Sequence, residues 1–205
     1  TGAGTAAGPF HSQSNEAWFF HTPGLKIVYP SNPVDAKGLL NAAIEDPNPV
    51  LFFEHKYLYR SLKENVPVDY YTTEIGKASI VQEGNDFSII TYGLGVHWAV
   101  EELNNREDIS AEIIDLRSLA PLDKEAIFKA AEKTGKVIVL HEDCLAGGIG
   151  GEISALINEH CFEYLDAPVL RVASLDSPVP FAENIEKIFL PKFRLSKAVD
   201  QILSY

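Results

Sequence analysis

The stretch that decides the fold is residues 87–116, FSIITYGLGVHWAVEELNNREDISAEIIDL. The apolar run 87–92 predicts a buried strand, and the Gly93-Leu94-Gly95 turn leads into a helix predicted over residues 96–106. Residues 111–116 are again apolar and predict the next strand. Strands that alternate with helices at this spacing predict right-handed crossovers in a mainly parallel sheet that helices cover on both faces.

The same alternation continues toward the C terminus. Asp123 predicts the N-cap of a helix that Gly135 ends. Further strands and helices follow in alternation, with strands predicted over residues 136–140 and 169–173 and helices over residues 149–162 and 195–203.

One pair of strands is predicted to form a hairpin. Residues 78–82 and 87–92 flank the turn-rich Glu83-Gly84-Asn85-Asp86, a connection typical of two antiparallel neighbours. Together these elements predict an α/β domain over residues 74–205.

The residues before this domain predict a smaller unit with one βαβ motif. A strand over residues 25–29 leads to Asn32-Pro33, which supplies an N-cap and a proline at the first helical position. A helix over residues 34–45 follows. It is broken by Asp46-Pro47-Asn48-Pro49, and residues 50–53 predict the second strand.

Other parts of residues 1–73 have weaker patterns. Residues 14–20 predict a short helix that Pro23-Gly24 stops. Residues 1–9 are rich in glycine and alanine and predict a loop or linker, and the polar, tyrosine-rich residues 54–74 predict a linker crossing a surface. We therefore expect two unequal parts, residues 1–73 and residues 74–205.

Composition excludes several classes of protein. A chain of 205 residues with 46% hydrophobic and 22% charged residues has the balance of a globular protein. Its net charge of −12 disfavours binding to nucleic acid or to anionic membranes. Two cysteines cannot form a disulfide framework, so we expect a reducing compartment.

Targeting signals are not evident in the printed chain. It contains no apolar run of roughly 18 residues and no charged-then-apolar leader, so we expect a soluble, unexported protein. The chain has no methionine and begins at Thr1. We therefore expect it to be part of a longer polypeptide.

His11 is the first candidate for chemistry. It lies between a glycine-rich loop and a predicted helix, and loops that lead into helices often bind ligands in α/β proteins. An imidazole there can act as acid or base near neutral pH. Taken alone, the local sequence favours a surface or capping histidine, because lone histidines are common.

Two other groups favour structural roles. Residues 147–151, GGIGG, could present N–H groups to an anion, but they come late in the domain and follow two acidic residues, so a tight turn with close packing is favoured. His141, Cys144, His160 and Cys161 lack the paired spacing of a zinc site. Acidic neighbours of Cys144 should raise its thiol pKa, which disfavours a Cys/His nucleophile pair.

Several motifs carry a resemblance to a known family. They are Phe10-His11-Ser12-Gln13-Ser14, Glu16-Ala17-Trp18-Phe19, His21-Thr22-Pro23-Gly24-Leu25-Lys26, Asp35-Ala36-Lys37-Gly38-Leu39-Leu40, Phe52-Phe53-Glu54, Ile114-Asp115-Leu116-Arg117, His141-Glu142 and Asp176-Ser177-Pro178-Val179-Pro180. Over nearly its whole length the chain resembles the β subunit of thiamine-diphosphate-dependent 2-oxo acid dehydrogenases. Residues 147–153 and 163–168 resemble the branched-chain (2-oxoisovalerate) members more than the pyruvate ones.

The resemblance implies roles for particular residues. It implies that His11 is catalytic and lines the thiamine site, where it takes part in substrate chemistry and in acylation of the lipoyl group. Ser12 is implied as a weaker contact of the cofactor that orients the ring. The resemblance also implies a structural potassium ion held by carbonyl groups near Ala43, Asp46 and Asn48, in a turn that offers carbonyls to a hard cation.

The resemblance also implies an architecture and partners. Residues 1–73 are expected to be the trailing part of a pyrimidine-binding domain plus a linker, and residues 74–205 a transketolase C-terminal-like domain. Thiamine diphosphate and magnesium are expected to be bound mostly by an α-type subunit and by segments absent here. The isolated chain is therefore expected to be inactive.

Further expectations concern assembly and location. The second domain should self-associate and should contact the lipoyl-bearing acyltransferase. The compartment is expected to be the cytoplasm in a bacterium and the mitochondrial matrix in a eukaryote. Two alternatives stay open at this point: a pyruvate dehydrogenase β subunit, and a non-catalytic assembly module for the isolated chain.

Overall fold

The computed structural model describes all residues from Thr1 to Tyr205. The first 73 residues form four short or medium helices and two strands, in the order α1 (Gly8–His11), α2 (Glu16–Phe20), β1 (Lys26–Val28), α3 (Pro33–Glu45), β2 (Val50–Phe52) and α4 (Leu58–Ser61).

The remaining residues form six strands and five α-helices. They are β3 (Ser79–Gln82), β4 (Phe87–Thr91), α5 (Leu94–Asn104), β5 (Ala111–Asp115), β6 (Ser118–Ala120), α6 (Lys124–Thr134), β7 (Val137–Cys144), α7 (Ile149–Cys161), β8 (Leu170–Ser174), α8 (Glu183–Phe189) and α9 (Lys192–Leu203), with a single 3₁₀ turn at Phe162–Tyr164. None of the nine helices combines the length and apolar character needed to cross a bilayer.

The larger sheet has five strands in the order β3-β5-β4-β7-β8. The last four strands of this order are parallel to one another, and β3 pairs antiparallel with β5 at the edge. The predicted α/β class with a mainly parallel sheet is confirmed.

The predicted hairpin is wrong, because β5 lies between β3 and β4. Every residue of β4 is buried, so this strand needs a neighbour on each side. Ile80 and Val81 of β3 are about half exposed, as suits an edge strand. The turn-rich residues between the strands connect them without pairing them.

Helices cover both faces of the larger sheet. Because side chains alternate along a strand, Ile89 and Ile138 pack in one hydrophobic cluster, with α5 and α9. Ile90 and Val139 point the other way, into a second cluster with α6 and α7. Ile27 and Tyr29 of the first 73 residues join this second cluster, so β1 and the residue after it pack on that side.

The smaller sheet has three strands in the order β2-β1-β6. Strands β1 and β2 are parallel and are joined through α3, which confirms the predicted βαβ motif. The third strand, β6, comes from beyond residue 74 and pairs antiparallel with β1. It was not predicted, since three residues carry too little pattern.

Two predicted helix starts and one predicted helix end are confirmed by the side-chain and backbone geometry at those positions. The Asn32 side chain accepts the N–H of Asp35 at 2.8 Å at the start of α3. Asp123 accepts the N–H of Ala126 at 3.2 Å at the start of α6, and Gly135 ends that helix in the left-handed conformation with φ 64°.

Three segments are more structured than their sequences indicated. Residues 1–7 are a loop and α1 begins at Gly8, but Ala3 is fully buried in the first hydrophobic cluster, so the segment is packed rather than a free linker. Helices α1, α4 and α8 were not predicted. Strand β7 runs on to Cys144, four residues past its predicted end, and carries His141, Glu142 and Asp143 into the interior.

Candidate functional site

His11 ends the short helix α1, and its side chain is exposed. The segment is held from outside by Lys56, whose ammonium donates to the His11 carbonyl. Gly8 allows the chain to enter the helix close to Phe181: a Cβ on Gly8 would lie 2.3 Å from that ring, and its φ is +63°. The structure thus presents the imidazole at the surface on a fixed backbone.

Ser12 lies inside the loop rather than at the surface. Its side chain is fully buried, and its Oγ accepts the N–H of Ala7 at 3.2 Å and lies 3.2 Å from the Thr5 hydroxyl. These contacts brace the loop that precedes His11. A contact between Ser12 and a cofactor stays a prediction.

Glu142 of β7 gathers three hydrogen bonds beneath the His11 segment. Its Oε1 accepts the N–H of Ala3 at 2.6 Å and the hydroxyl of Ser14 at 3.2 Å, and its Oε2 lies 2.6 Å from Nε2 of His55. Burial alone would raise the pKa of the Glu142 carboxyl. The interactions with His55 and with the two donors outweigh burial, and the pKa lies below its ordinary value.

Glu16 of α2 is a second buried carboxyl, with fewer partners. Its Oε1 accepts the Tyr92 hydroxyl at 2.8 Å, and its Oε2 has no partner. Burial, followed by the nearby Asp143 carboxyl, raises the pKa of Glu16 to about 8. Burial also raises the pKa of Asp143. Acidic groups therefore crowd the junction between the two sheets.

A cavity of about 380 Å³ separates the His11 loop from the end of β7. Pro9 and Ser14 line it on one side, Glu142 and Cys144 on another, and Pro178 closes it. His11 itself is not among the lining residues. The cavity is a partly open cleft beside the loop, lined by the neighbours of His11 in the chain and not by His11.

The residues implied for potassium lie together at the end of α3. Ala43 has no helical partner for its carbonyl, because the residue four positions on is Pro47, which has no N–H. The Asp46 carboxylate is already bound by the Lys26 ammonium and by the N–H of Asn48, which together lower its pKa to about 2. The main-chain carbonyls are therefore the groups left for a cation.

The glycine-rich residues 147–151 pack against His141. A Cβ on Gly148 would lie 2.5 Å from the His141 ring, and a Cβ on Gly150 would lie 2.6 Å from it. These two glycines therefore let the start of α7 pack closely on β7, as predicted for this turn. Burial lowers the pKa of His141 to about 4, so the ring is neutral.

The cysteines have structural surroundings. Burial, and then the charges of Asp143 and Asp176, raise the pKa of the Cys144 thiol, as the sequence predicted. Cys161 is buried in the second hydrophobic cluster, and His160 packs against Phe128 with ring centroids 4.8 Å apart. No group of three or more His, Cys, Asp or Glu side chains is arranged to hold a metal ion.

Sequence reasoning missed Glu142 and His55 as site residues. The signal for Glu142 was an acidic residue directly after the apolar strand, where a buried carboxylate needs a partner. His55 lies in the polar stretch that was expected to cross the surface, yet it is 2% exposed. No local pattern marked that burial.

Family models match both parts of the chain. The model described as the transketolase pyrimidine binding domain matches residues 1–61, and the model described as the transketolase C-terminal domain matches residues 76–194. Among solved structures, a split gene transketolase described as an inactive beta4 tetramer has a TM-score of 0.76 and 25% identity, covering 95% of this chain and 62% of that one.

Curated relatives are more similar in sequence. The 2-oxoisovalerate dehydrogenase subunit beta of Bacillus subtilis (strain 168) is 53% identical over 92% of this chain and 59% of its own length. The mitochondrial 2-oxoisovalerate dehydrogenase subunit beta of Dictyostelium discoideum is 46% identical over 93% of this chain and 52% of its own length.

A pyruvate enzyme is also similar. The pyruvate dehydrogenase E1 component subunit beta of Bacillus subtilis (strain 168) is 45% identical over 94% of this chain and 60% of its own length. The chain thus spans three fifths or less of the length of these three relatives. The resemblance drawn from the motifs is confirmed, with the branched-chain subunits ahead of the pyruvate one.

Proposed function

Because the chain belongs to the transketolase C-terminal domain family and also matches the pyrimidine binding domain, we propose that it is part of a 2-oxo acid dehydrogenase β subunit acting on branched-chain 2-oxo acids. The observation that carries this is the exposed His11 imidazole, held on a fixed backbone within the Phe10-His11-Ser12-Gln13-Ser14 motif. The higher identity of the 2-oxoisovalerate relatives supports the branched-chain substrate.

His11 exchanges protons with the substrate or with the incoming lipoyl group. An imidazole at the surface is solvated and reachable by a group on another chain, and its two ring nitrogens can donate or accept a proton. Thiamine diphosphate, when bound, supplies the electron sink for decarboxylation. This chain would contribute His11 to one side of the cofactor site. Ser12 would contribute by bracing the loop that precedes His11.

The diphosphate and its magnesium ion are held outside this chain. Gly148 and Gly150 in the glycine-rich turn pack against the His141 ring, so these glycines serve close packing. An α-type subunit or segment supplies the diphosphate part of the site. We expect the isolated chain to bind thiamine diphosphate weakly and to leave 2-oxo acids unchanged, which isothermal titration and an assay of carbon dioxide release would check.

The principal test is the replacement of His11. In the enzyme assembled with its α-type subunit, His11→Ala should lower the rate of 2-oxoisovalerate-dependent lipoamide acylation by about 100-fold or more, as loss of a general acid–base does. His21→Ala is the matched control, because His21 is also exposed and lies ten residues away. Equal rates for the two variants would contradict the role of His11.

Substrate preference has its own measurement. The ratio of kcat/KM for 2-oxoisovalerate to that for pyruvate should exceed about 10, a difference that a few methyl groups in an apolar pocket can supply. A ratio below one would identify a pyruvate enzyme instead, which is the activity in the name of the 45% identical relative.

A potassium ion binds at the end of α3 through the carbonyls near Ala43, Asp46 and Asn48. The support is the Ala43 carbonyl, which Pro47 leaves without a helical donor. We expect a higher melting temperature in potassium chloride than in sodium chloride at equal ionic strength. Identical melting curves in the two salts would remove the proposal.

Assembly and location follow from the same family. The second domain pairs with its mate and docks the lipoyl-bearing acyltransferase, and cross-linking of the assembled complex would check both contacts. The eukaryotic relative is named as mitochondrial and the bacterial ones are not. The location is accordingly the mitochondrial matrix in a eukaryotic source and the cytoplasm in a bacterial one.

A further inference from the structure

The His11 segment is held by a carboxylate from the other domain. Ala3 and Ser14 lie on either side of His11 in the chain, and both donate to Oε1 of Glu142, at 2.6 and 3.2 Å. Glu142 lies on β7, more than 120 residues away from both donors in sequence. One side chain therefore ties the beginning and the end of the loop to the central sheet.

His55 fixes the other oxygen of that carboxylate. Its Nδ1 accepts the N–H of Tyr57 at 3.2 Å, which leaves Nε2 as the ring nitrogen that donates. Nε2 then donates to Oε2 of Glu142 at 2.6 Å. Gly2 makes this approach possible, since a Cβ there would lie 2.1 Å from the ring. His55 is 2% exposed and Glu142 is 6% exposed, so water does not replace either partner.

Three donors thus converge on one acidic side chain. A carboxylate accepts at both oxygens, whereas a carboxamide has one accepting oxygen and one donating NH₂ group. A glutamine at position 142 would place its NH₂ group against a donor in either orientation. That donor would be His55 in one orientation and the pair Ala3 and Ser14 in the other. The site therefore requires the ionised carboxylate and not merely a polar side chain of that shape.

We propose that Glu142, oriented by His55, is the positioning residue of the His11 segment. This inference rests on the function proposed above for His11. Glu142 does not reach the reacting atoms. It acts by fixing the backbone on both sides of α1, which sets where the imidazole stands relative to a substrate bound by the neighbouring chain.

The test compares Glu142→Gln with Glu112→Gln. Glu112 lies on β5 and is also a buried carboxylate of the second domain. It is bonded to Ser88 and Lys133 and has no hydrogen bond to the loop. In the enzyme assembled with its α-type subunit, Glu142→Gln should lower kcat by about tenfold or more, while KM for the 2-oxo acid stays within about twofold. Glu112→Gln should leave kcat unchanged.

A second readout is independent of catalysis. Hydrogen exchange at the Ala3 amide should be at least about tenfold faster in Glu142→Gln, the factor expected for a lost bond to a charged acceptor. Ser14→Ala removes one donor with little change of volume and should give a smaller loss of kcat, which covers the case in which Glu142→Gln folds poorly.

Some results would overturn the inference. Unchanged exchange at Ala3 together with unchanged kcat in Glu142→Gln and Ser14→Ala would show that the loop is positioned without Glu142. An equal loss of kcat in Glu112→Gln would show a general effect of losing a buried charge. If His11→Ala is fully active, the proposed function of His11 fails, and faster exchange at Ala3 still establishes Glu142 as the anchor of the loop.

Discussion

The two sheets of this chain are stabilised by different means. In the five-stranded sheet, every residue of β4 and β5 is buried, and helices cover both faces. In the three-stranded sheet, all three residues of β2 are only half-buried, and one strand of three comes from beyond residue 74. The larger sheet has its own core, and the smaller one shares the core of the larger.

The difference explains how the His11 segment is organised. Tyr29 of the smaller unit packs against Tyr92 of the larger one with ring centroids 5.3 Å apart. Glu16 receives its hydrogen bond from Tyr92, and the loop before Ser14 is tied to Glu142. The candidate site residues in the first 73 positions therefore depend for their placement on side chains from beyond residue 74.

The largest expected effect compares core positions of the two sheets. Ile89→Ala in β4 empties a fully buried site among tightly packed neighbours and should lower the free energy of unfolding by about 2–5 kcal/mol. Leu51→Ala in β2 removes a half-buried side chain and should cost about 1 kcal/mol. Urea denaturation of the two variants measures the difference.

Equal losses would break the comparison. They would mean that β2 is packed as firmly as β4 and that the smaller sheet has a core of its own. Ile80→Ala in β3 is a useful further control, because Ile80 is 54% exposed on the edge of the larger sheet and should behave like Leu51 rather than like Ile89.

Much of the larger sheet could be predicted from local pattern. Apolar runs of four or five residues, the Asp123 cap and the left-handed Gly135 are each decided by neighbours in sequence. For the same reason the βαβ motif around Asn32-Pro33 was recognisable. The His11 candidate also came from sequence, through the motif that surrounds it.

Other features depend on contacts that sequence spacing does not reveal. The strand between β3 and β4 is β5, in which Ala111 pairs with Phe87, 24 residues earlier in the chain. The short turn after Gln82 therefore did not indicate which strands pair. Strand β6 pairs with β1 across some 90 residues. Glu142 and His55 meet at 2.6 Å although they are 87 positions apart. Long-range pairing of this kind carries no local period.

The next effect concerns pH and the junction between the sheets. The pKa of Glu16 is raised to about 8, mainly by burial, whereas that of an unfolded glutamate is about 4.3. Between these values the unfolded chain has released the proton and the folded chain keeps it. Stability should therefore fall as pH rises through this window, with a slope approaching about 1.4 kcal/mol per pH unit.

Glu16→Gln should flatten that slope, because glutamine keeps an oxygen for the Tyr92 hydroxyl and has no proton to lose. Unfolding by urea at several pH values between about 5 and 8 would measure the slope, with Glu159→Gln on the exposed face of α7 as the control. If the wild-type slope persists in Glu16→Gln, the proton is bound by Asp143 or by Asp115, since burial raises the pKa of both and that of Asp115 to about 7.

The smallest expected effect compares helix caps in the two units. Asn32→Ala removes the acceptor for the Asp35 N–H at the start of α3, and Asp123→Ala removes the acceptor for the Ala126 N–H at the start of α6. Each loss should cost about 1 kcal/mol, because a cap acts within one turn and is indifferent to the sheet behind it. Asp123 also accepts the N–H of Ala78 at 3.1 Å and so should cost somewhat more. Thermal unfolding of both variants measures these losses. A much larger loss for Asn32→Ala would show that α3 stabilises the smaller sheet more than the half-buried residues of β2 indicate.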